Sequence, residues 1–241
     1  NRNVDVTIGD KVNAIPDRLF ENVTLKSLTF QENSTCEYIG EYAFSNSNLT
    51  SVAIPDSVLS VGQYAFNYCT QLQEVTLPHG LKSIAEGMFA YCYELQLLTM
   101  PDSVTDIGAN SFTNTALLQI QLPDSTVSIG DNAFNASRLT EITLPDGIEY
   151  IGSGAFGNCG LTEMVCTHNR HKCRNGICRL LGFRPCLQDG LLRSGGKAVR
   201  MGQFVGKRSK RSVGLQQRYF QSTVRLRSAR RLCGAHQIQG Y

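Results

Sequence analysis

The sequence contains no Trp, and up to Val165 it has a single His, His79, and only six basic residues. No stretch approaches the roughly 18 uncharged apolar residues of a membrane-spanning helix. With one His and no Ser or Cys placed to be activated by it, the repeated part of the chain offers no nucleophile and base pair. No enzymatic site and no cofactor are therefore expected. The chain opens Asn1-Arg2-Asn3-Val4, with neither an initiator Met nor a basic-then-apolar leader, so no signal peptide is read in it. A removed targeting segment or a fragment is expected instead.

What is present is divided by charge. Six basic residues face 19 acidic ones through Val165, a net −13, whereas from Cys166 onward 17 Arg and Lys face Asp189 alone, a net +16. A period runs through the first part. Phe20, Phe44, Phe66, Phe89, Phe112, Phe134 and Phe156 follow one another at 22 to 24 residues. Pro55, Pro78, Pro101, Pro123 and Pro145 keep the same phase, as do Leu49, Leu72, Leu95, Leu117, Leu139 and Leu161. Three residue types locked together over this distance mark a repeat architecture.

One unit reads Leu49-x-x-Val52-x-Ile54-Pro55, then Val58, Val61-Gly62 and Ala65-Phe66-x-x-Cys69. Its first part alternates and is β-branched, which predicts a short strand. Pro55 ends that strand because it has no N–H for a ladder. Gly62 supplies a turn where a Cβ would clash, and Ala65-Phe66 turn inward together. A unit of this size cannot bury its own apolar residues, so units stack with parallel strands, beginning at Leu25, Leu49, Leu72, Leu95, Leu117, Leu139 and Leu161.

The pattern Leu-x-x-Val-x-Ile-Pro-Asp-Ser-Val-x-x-Val-Gly-x-x-Ala-Phe-x-x-Cys resembles the BspA-like (Treponema-type) leucine-rich repeats. The resemblance implies an α/β leucine-rich repeat solenoid with a parallel sheet on one face and the Phe segments opposite. It further implies a non-enzymatic scaffold for protein–protein interaction, secreted or at the cell surface, adhering to host or neighbouring-cell proteins. The departures are Ala85 in place of Gly, Thr115 and Ser137 in place of Cys, and a longer, looser first unit around Phe20. Three segments follow: an N-terminal edge at residues 1–11, a solenoid of about seven units at 12–165, and a basic tail with no predicted regular fold at 166–241.

Period-2 alternation next to the buried strand positions places Ser27, Ser51, Glu74, Leu97, Gln119, Glu141 and Glu163 in one outward column. Thr29, Ala53, Thr76, Thr99, Gln121 and Thr143 form a second. The candidate protein-binding face is Ser51, Glu74, Thr76, Leu97, Thr99, Gln119, Gln121, Glu141 and Thr143, since solenoids present extended surfaces. Thr also simply suits exposed strands, and both readings stay open. Cys69, Cys92 and Cys159 are read as buried thiols that pack as small hydrophobes. Cys69 and Cys92 lie on adjacent rungs, where a disulfide could form, so the redox compartment stays open. Asp56, Asp102, Asp124 and Asp146 recur after Pro, where turn chemistry accounts for them without calcium.

In the tail, Cys166, Cys173, Cys178 and Cys186 with His168 and His171 lack the short paired spacings of a zinc site, so no metal is assigned. Lys207-Arg208-Ser209-Lys210-Arg211 and the +16 charge would bind polyanions, giving a nucleic-acid-associated protein as the alternative function. A second origin also fits. Codons permitted for Cys166 to Phe183, read one nucleotide later, encode another unit with Val-Pro, Val-Gly and Ala-Phe-x-x-Cys in order. This predicts an out-of-frame translation of further repeats beyond about Val165. An uninterrupted frame in the DNA, with no repeat in the +1 phase, would sink that reading.

Overall fold

The computed structural model describes residues 4–166 together with two short strands, Arg184–Pro185 and Leu192–Arg193, which pair antiparallel. The remaining residues of the tail, with Cys173, Cys178 and Cys186 of the four-Cys cluster, the Lys207–Arg211 run and the reading-frame expectation, lie outside the described residues. Residues 4–166 form a parallel solenoid whose turns follow the period of the sequence. On one face lie β1 (Val4–Ile8), β3 (Leu25–Phe30), β5 (Ser51–Ala53), β7 (Glu74–Thr76), β9 (Leu97–Thr99), β12 (Glu141–Leu144) and β14 (Glu163–Cys166). Partners in this face are one unit apart and, apart from a shift between Val4 and Asp5 in β1, in register, as Val52 opposite Val75 opposite Leu98.

The strand alternation works as the sequence predicts. Val52, Val75, Ile120, Ile142 and Met164 point into the core, while their neighbours face out. Two details differ from the expectation. The edge segment is itself a strand, because Val4, Val6 and Ile8 alternate with Asp5 and Thr7, and it pairs in parallel with β3. The strand expected from Leu117 shrinks to one bridge, Gln121 opposite Thr143. It follows the point where the step from the repeat Phe to the repeat Leu shortens, from Phe89–Leu95 to Phe112–Leu117.

A second sheet, not anticipated from the sequence, is built from two-residue strands. They are β2 (Ala14–Ile15), β4 (Tyr38–Ile39), β6 (Ser60–Val61), β8 (Ser83–Ile84), β10 (Asp106–Ile107), β11 (Ser128–Ile129) and β13 (Tyr150–Ile151). It runs β2-β4-β6, stops, and resumes β8-β10-β11-β13. The glycine that follows five of these strands, Gly40, Gly62, Gly108, Gly130 and Gly152, explains both the pairing and the stop. A Cβ at Gly62 would meet Glu41 N at 2.5 Å, and one at Gly130 would meet Ala109 N at 2.5 Å. Only glycine permits that approach, and the amides of Gly62 and Gly130 use it to reach Ile39 and Ile107 carbonyls at 2.8 and 2.7 Å. Ala85 occupies this position on the rung where β6 and β8 fail to pair.

No helix forms among the described residues; the Phe segments opposite the strands are turns. Each carries two left-handed residues, two before and two after the Phe: Tyr42 and Asn46 about Phe44, Asn110 and Asn114 about Phe112. Asn, Gly and Tyr hold most of these places, with Arg18 before Phe20 and Ala136 after Phe134, and Asn and Gly adopt the conformation most readily. The twist aims the amides of the Phe and of both left-handed residues along the stack. At every one of six interfaces from Arg18 to Gly157, three such amides bond the next unit at 2.7–3.0 Å. Unlike either sheet, this backbone ladder has no break.

Inside it stand the phenyl rings. Phe44, Phe66, Phe89, Phe112, Phe134 and Phe156 are fully buried, and Phe20 at the N-terminal unit is half-buried. Neighbouring rings lie 5.2–5.7 Å apart, stacked within 18° of parallel. Repetition thus places one bulky group against its own copy, and each ring fills the space its neighbour would otherwise leave empty.

Candidate functional site

The nine candidate residues all lie exposed on the long-strand face: Ser51, Glu74, Thr76, Leu97, Thr99, Gln119, Gln121, Glu141 and Thr143. β5, β7 and β9 are in register, so over these units the two outward columns are straight: Ser51, Glu74 and Leu97 adjoin in one, and Ala53, Thr76 and Thr99 in the other. Farther along, Gln119 Nε2 donates to Glu141 Oε1 at 2.7 Å, tying the first column across a unit boundary. Two of the nine are carboxylates and none is basic, which gives the surface a negative bias.

The face is interrupted twice, between β3 and β5 and, in its centre, after β9. β9 pairs only with β7, and no backbone hydrogen bond joins Gln96–Thr99 to Leu118–Gln121 among the described residues. A groove of about 760 Å³ opens there, lined among others by Glu74, Thr76, His79, Leu97, Leu98, Leu118 and Gln119. Leu97 and Leu118 are 61% and 55% exposed. Leu98 is half-buried, whereas Val75 and Ile120 in its column are buried. The column arithmetic found Leu97, but Leu98, Leu118 and His79 escaped it. Leu118 could have been suspected as an apolar residue at the place where other units have Lys26, Thr50, Gln73, Gln96, Thr140 and Thr162.

His79 lies at the rim of the groove with its ring Nδ1 2.8 Å from Asp56 Oδ1, and its backbone N–H donates to the same oxygen at 2.8 Å. The bond from that amide, then the bond from the ring, hold the Asp56 carboxyl below its ordinary value. Asp56 therefore acts as a turn group reaching into the next unit. Ser103 and Ser125 do comparable work, each Oγ lying within 2.6–2.7 Å of two carbonyls of the preceding unit. No group of three or more His, Cys, Asp or Glu side chains gathers to hold a metal among the described residues.

Four cysteines belong to the core and not to this surface. Cys36, Cys69, Cys92 and Cys159 are buried and unbridged. The thiols of Cys69, Cys92 and Cys159 donate to the carbonyls of Phe44, Phe66 and Phe134 in the preceding unit, at 3.2, 3.2 and 2.9 Å. Thr115 Oγ1 instead donates to Phe112 O at 3.0 Å, and Ser137 contacts Cys159 Sγ at 3.2 Å, so the two departures from Cys keep a hydrogen-bonding group in the column. Burial pushes the Cys69 thiol up to about 11 and the Cys92 thiol well above its ordinary value. Only thiolates react readily with disulfide reagents. Ellman's reagent is therefore expected to leave these four thiols unmodified in the native protein and to titrate them on unfolding. The sign of the pH effect follows: the folded state retains protons that an unfolded chain would release near 9.0, so stability falls as pH rises above that value. Rapid native labelling of any of these four at pH 8, read by peptide mass spectrometry to separate them from Cys166, Cys173, Cys178, Cys186 and Cys233, would contradict this burial.

The sequence model described as BspA type Leucine rich repeat region matches in six copies, over residues 2–119 and 105–177. No curated protein matches the chain significantly. Among solved structures, the leucine rich repeat protein of T. pallidum superposes with a TM-score of 0.60 at 25% identity, over 65% of this chain and 77% of that one. The pneumococcal vaccine antigen PcpA gives 0.52 at 25% identity, over 66% and 50%. A leucine rich cell surface protein of Faecalibacterium prausnitzii gives 0.52 at 25%, over 81% and 53%. The chain thus spans about half the length of the last two.

Proposed function

Because the chain belongs to the BspA-type leucine-rich repeat family, whose members are generally non-enzymatic interaction scaffolds, we propose that its long-strand face binds a protein at a cell surface. The carrying observation is the pair of straight outward columns held on an unbroken backbone ladder. Side chains fixed in this way lose little freedom when a partner settles on them, so more of the contact energy appears as affinity. The antigen and cell-surface relatives support the extracellular setting, and adhesion to a host or neighbouring-cell protein is the role we assign. No helix of the described residues is long and apolar enough to cross a membrane.

The test is binding to a panel of immobilised host extracellular proteins, measured by surface plasmon resonance. Thr76→Arg/Thr143→Arg alters two exposed residues and should leave stability within about 0.5 kcal/mol. It is expected to weaken binding at least about tenfold, since a misplaced charge costs several kcal/mol in an interface. Tyr93→Ala, on the Phe-turn side, should leave binding intact. A partner held equally by both variants would remove the long-strand face from consideration.

A further inference from the structure

We propose that the break between β9 and Leu118–Gln121 is a slot for an extended, basic protein segment that inserts one aliphatic side chain between Leu97 and Leu118. This rests on the strand-face reading above and names the chemistry of its partner.

The opening is wedge-shaped. On the Phe-turn side the two units stay joined by all three ladder bonds, Gly87 to Ala109, Phe89 to Ser111 and Tyr91 to Thr113, at 2.8–2.9 Å. On the strand side they share none. The rings stay stacked across this interface, Phe89 and Phe112 at 5.7 Å, so the opening is confined to the strand side. The wedge exposes leucine in a face whose outward columns otherwise carry Ser, Thr, Gln, Glu and a single small apolar residue, Ala53.

Three features specify the occupant. The leucines call for an aliphatic group, since burying one side chain of that size against them is the main available gain. The main chain calls for an extended segment. Leu97 N donates to Gln73 O at 3.1 Å on the β7 side, so by strand alternation the N–H and C=O of Leu98 face the slot, free for strand addition. The charge calls for Lys or Arg. Glu74 lines the groove, Glu141 adjoins Gln119, and no lining residue is Lys or Arg. His79 at the rim is engaged by Asp56.

The experiment uses the full chain and three nine-residue peptides of alternating Lys and Thr. One has a central Leu, one a central Ser, and one the central Leu with Glu replacing every Lys. Binding is followed by fluorescence anisotropy and mapped by amide chemical shifts. The Leu peptide is expected to bind at least about tenfold more tightly than the Ser peptide, the Glu peptide should not bind, and shifts should centre on residues 96–99 and 118–121. Leu97→Ser/Leu118→Ser should erase the preference for Leu, and Glu74→Lys should weaken the Leu peptide while leaving the fold unchanged. Equal binding of the Leu and Ser peptides, a preference that survives the double variant, or no binding of the Leu peptide would each overturn the slot. So would self-association of the chain that the double variant abolishes, which would make the occupant a second copy. If the slot fails while Thr76→Arg/Thr143→Arg still destroys protein binding, the strand-face reading stands; if both fail, it falls as well.

Discussion

Phe112→Ala is expected to lose about 3–5 kcal/mol of stability, close to the upper range for emptying a core position. The ring is fully buried and has a copy of itself on each side, at 5.7 Å to Phe89 and 5.2 Å to Phe134. Neither neighbour can move in to fill the space, because each is held by its own amide bond to the next unit. Relaxation is therefore small and most of the cavity persists. Denaturant unfolding monitored by circular dichroism measures the loss. A change under about 1 kcal/mol, the size of ordinary surface effects, would mean the ring is not the packing element described. Phe20→Ala should cost less, since Phe20 is half-buried and stacks on one side only.

Gly130→Ala is expected to cost about 1–3 kcal/mol through forced displacement of backbone. The added Cβ would lie 2.5 Å from Ala109 N, and no flexible side-chain end is available to yield. The units must separate, and the bond from Gly130 N to Ile107 O should open with them. Ala85→Gly tests the same geometry in reverse. A regained hydrogen bond contributes about 0.5–1.5 kcal/mol, offset by about 0.5–1 kcal/mol for the added backbone freedom of glycine. Net stability should hardly change, while hydrogen exchange at the residue 85 amide should slow. Unchanged exchange there, together with a Gly130→Ala protein as stable as the parent, would refute steric clearance as the cause of the sheet break.

The fold was legible because repetition multiplies a weak signal. Phe44, Phe66 and Phe89 mean little singly, yet their common phase with Pro55 and Leu49 compels stacking. The strands read from Leu49, Leu72 and Leu139 follow from alternation within each unit. The second sheet was not legible, since two residues such as Ser60–Val61 are too few to show a period. Val4–Ile8 did alternate, but it precedes the first repeat Phe and so had no phase to support it. Asn110, Asn114 and Asn132 carried the left-handed signal openly, two residues from each Phe, although only the backbone shows what they accomplish. The exposed columns could be derived from periodicity. The interruption between Leu98 and Ile120 could not, because it depends on how two unit lengths meet.

The unbroken amide ladder at the Phe turns has a consequence for the evolution of such a molecule. Every unit presents the same donors forward and the same acceptors behind, so a gene that gains or drops one whole period leaves both flanking modules with familiar neighbours. Length can then drift by unequal crossing-over at little structural penalty, while a deletion of any other size would throw every later phenylalanine out of line.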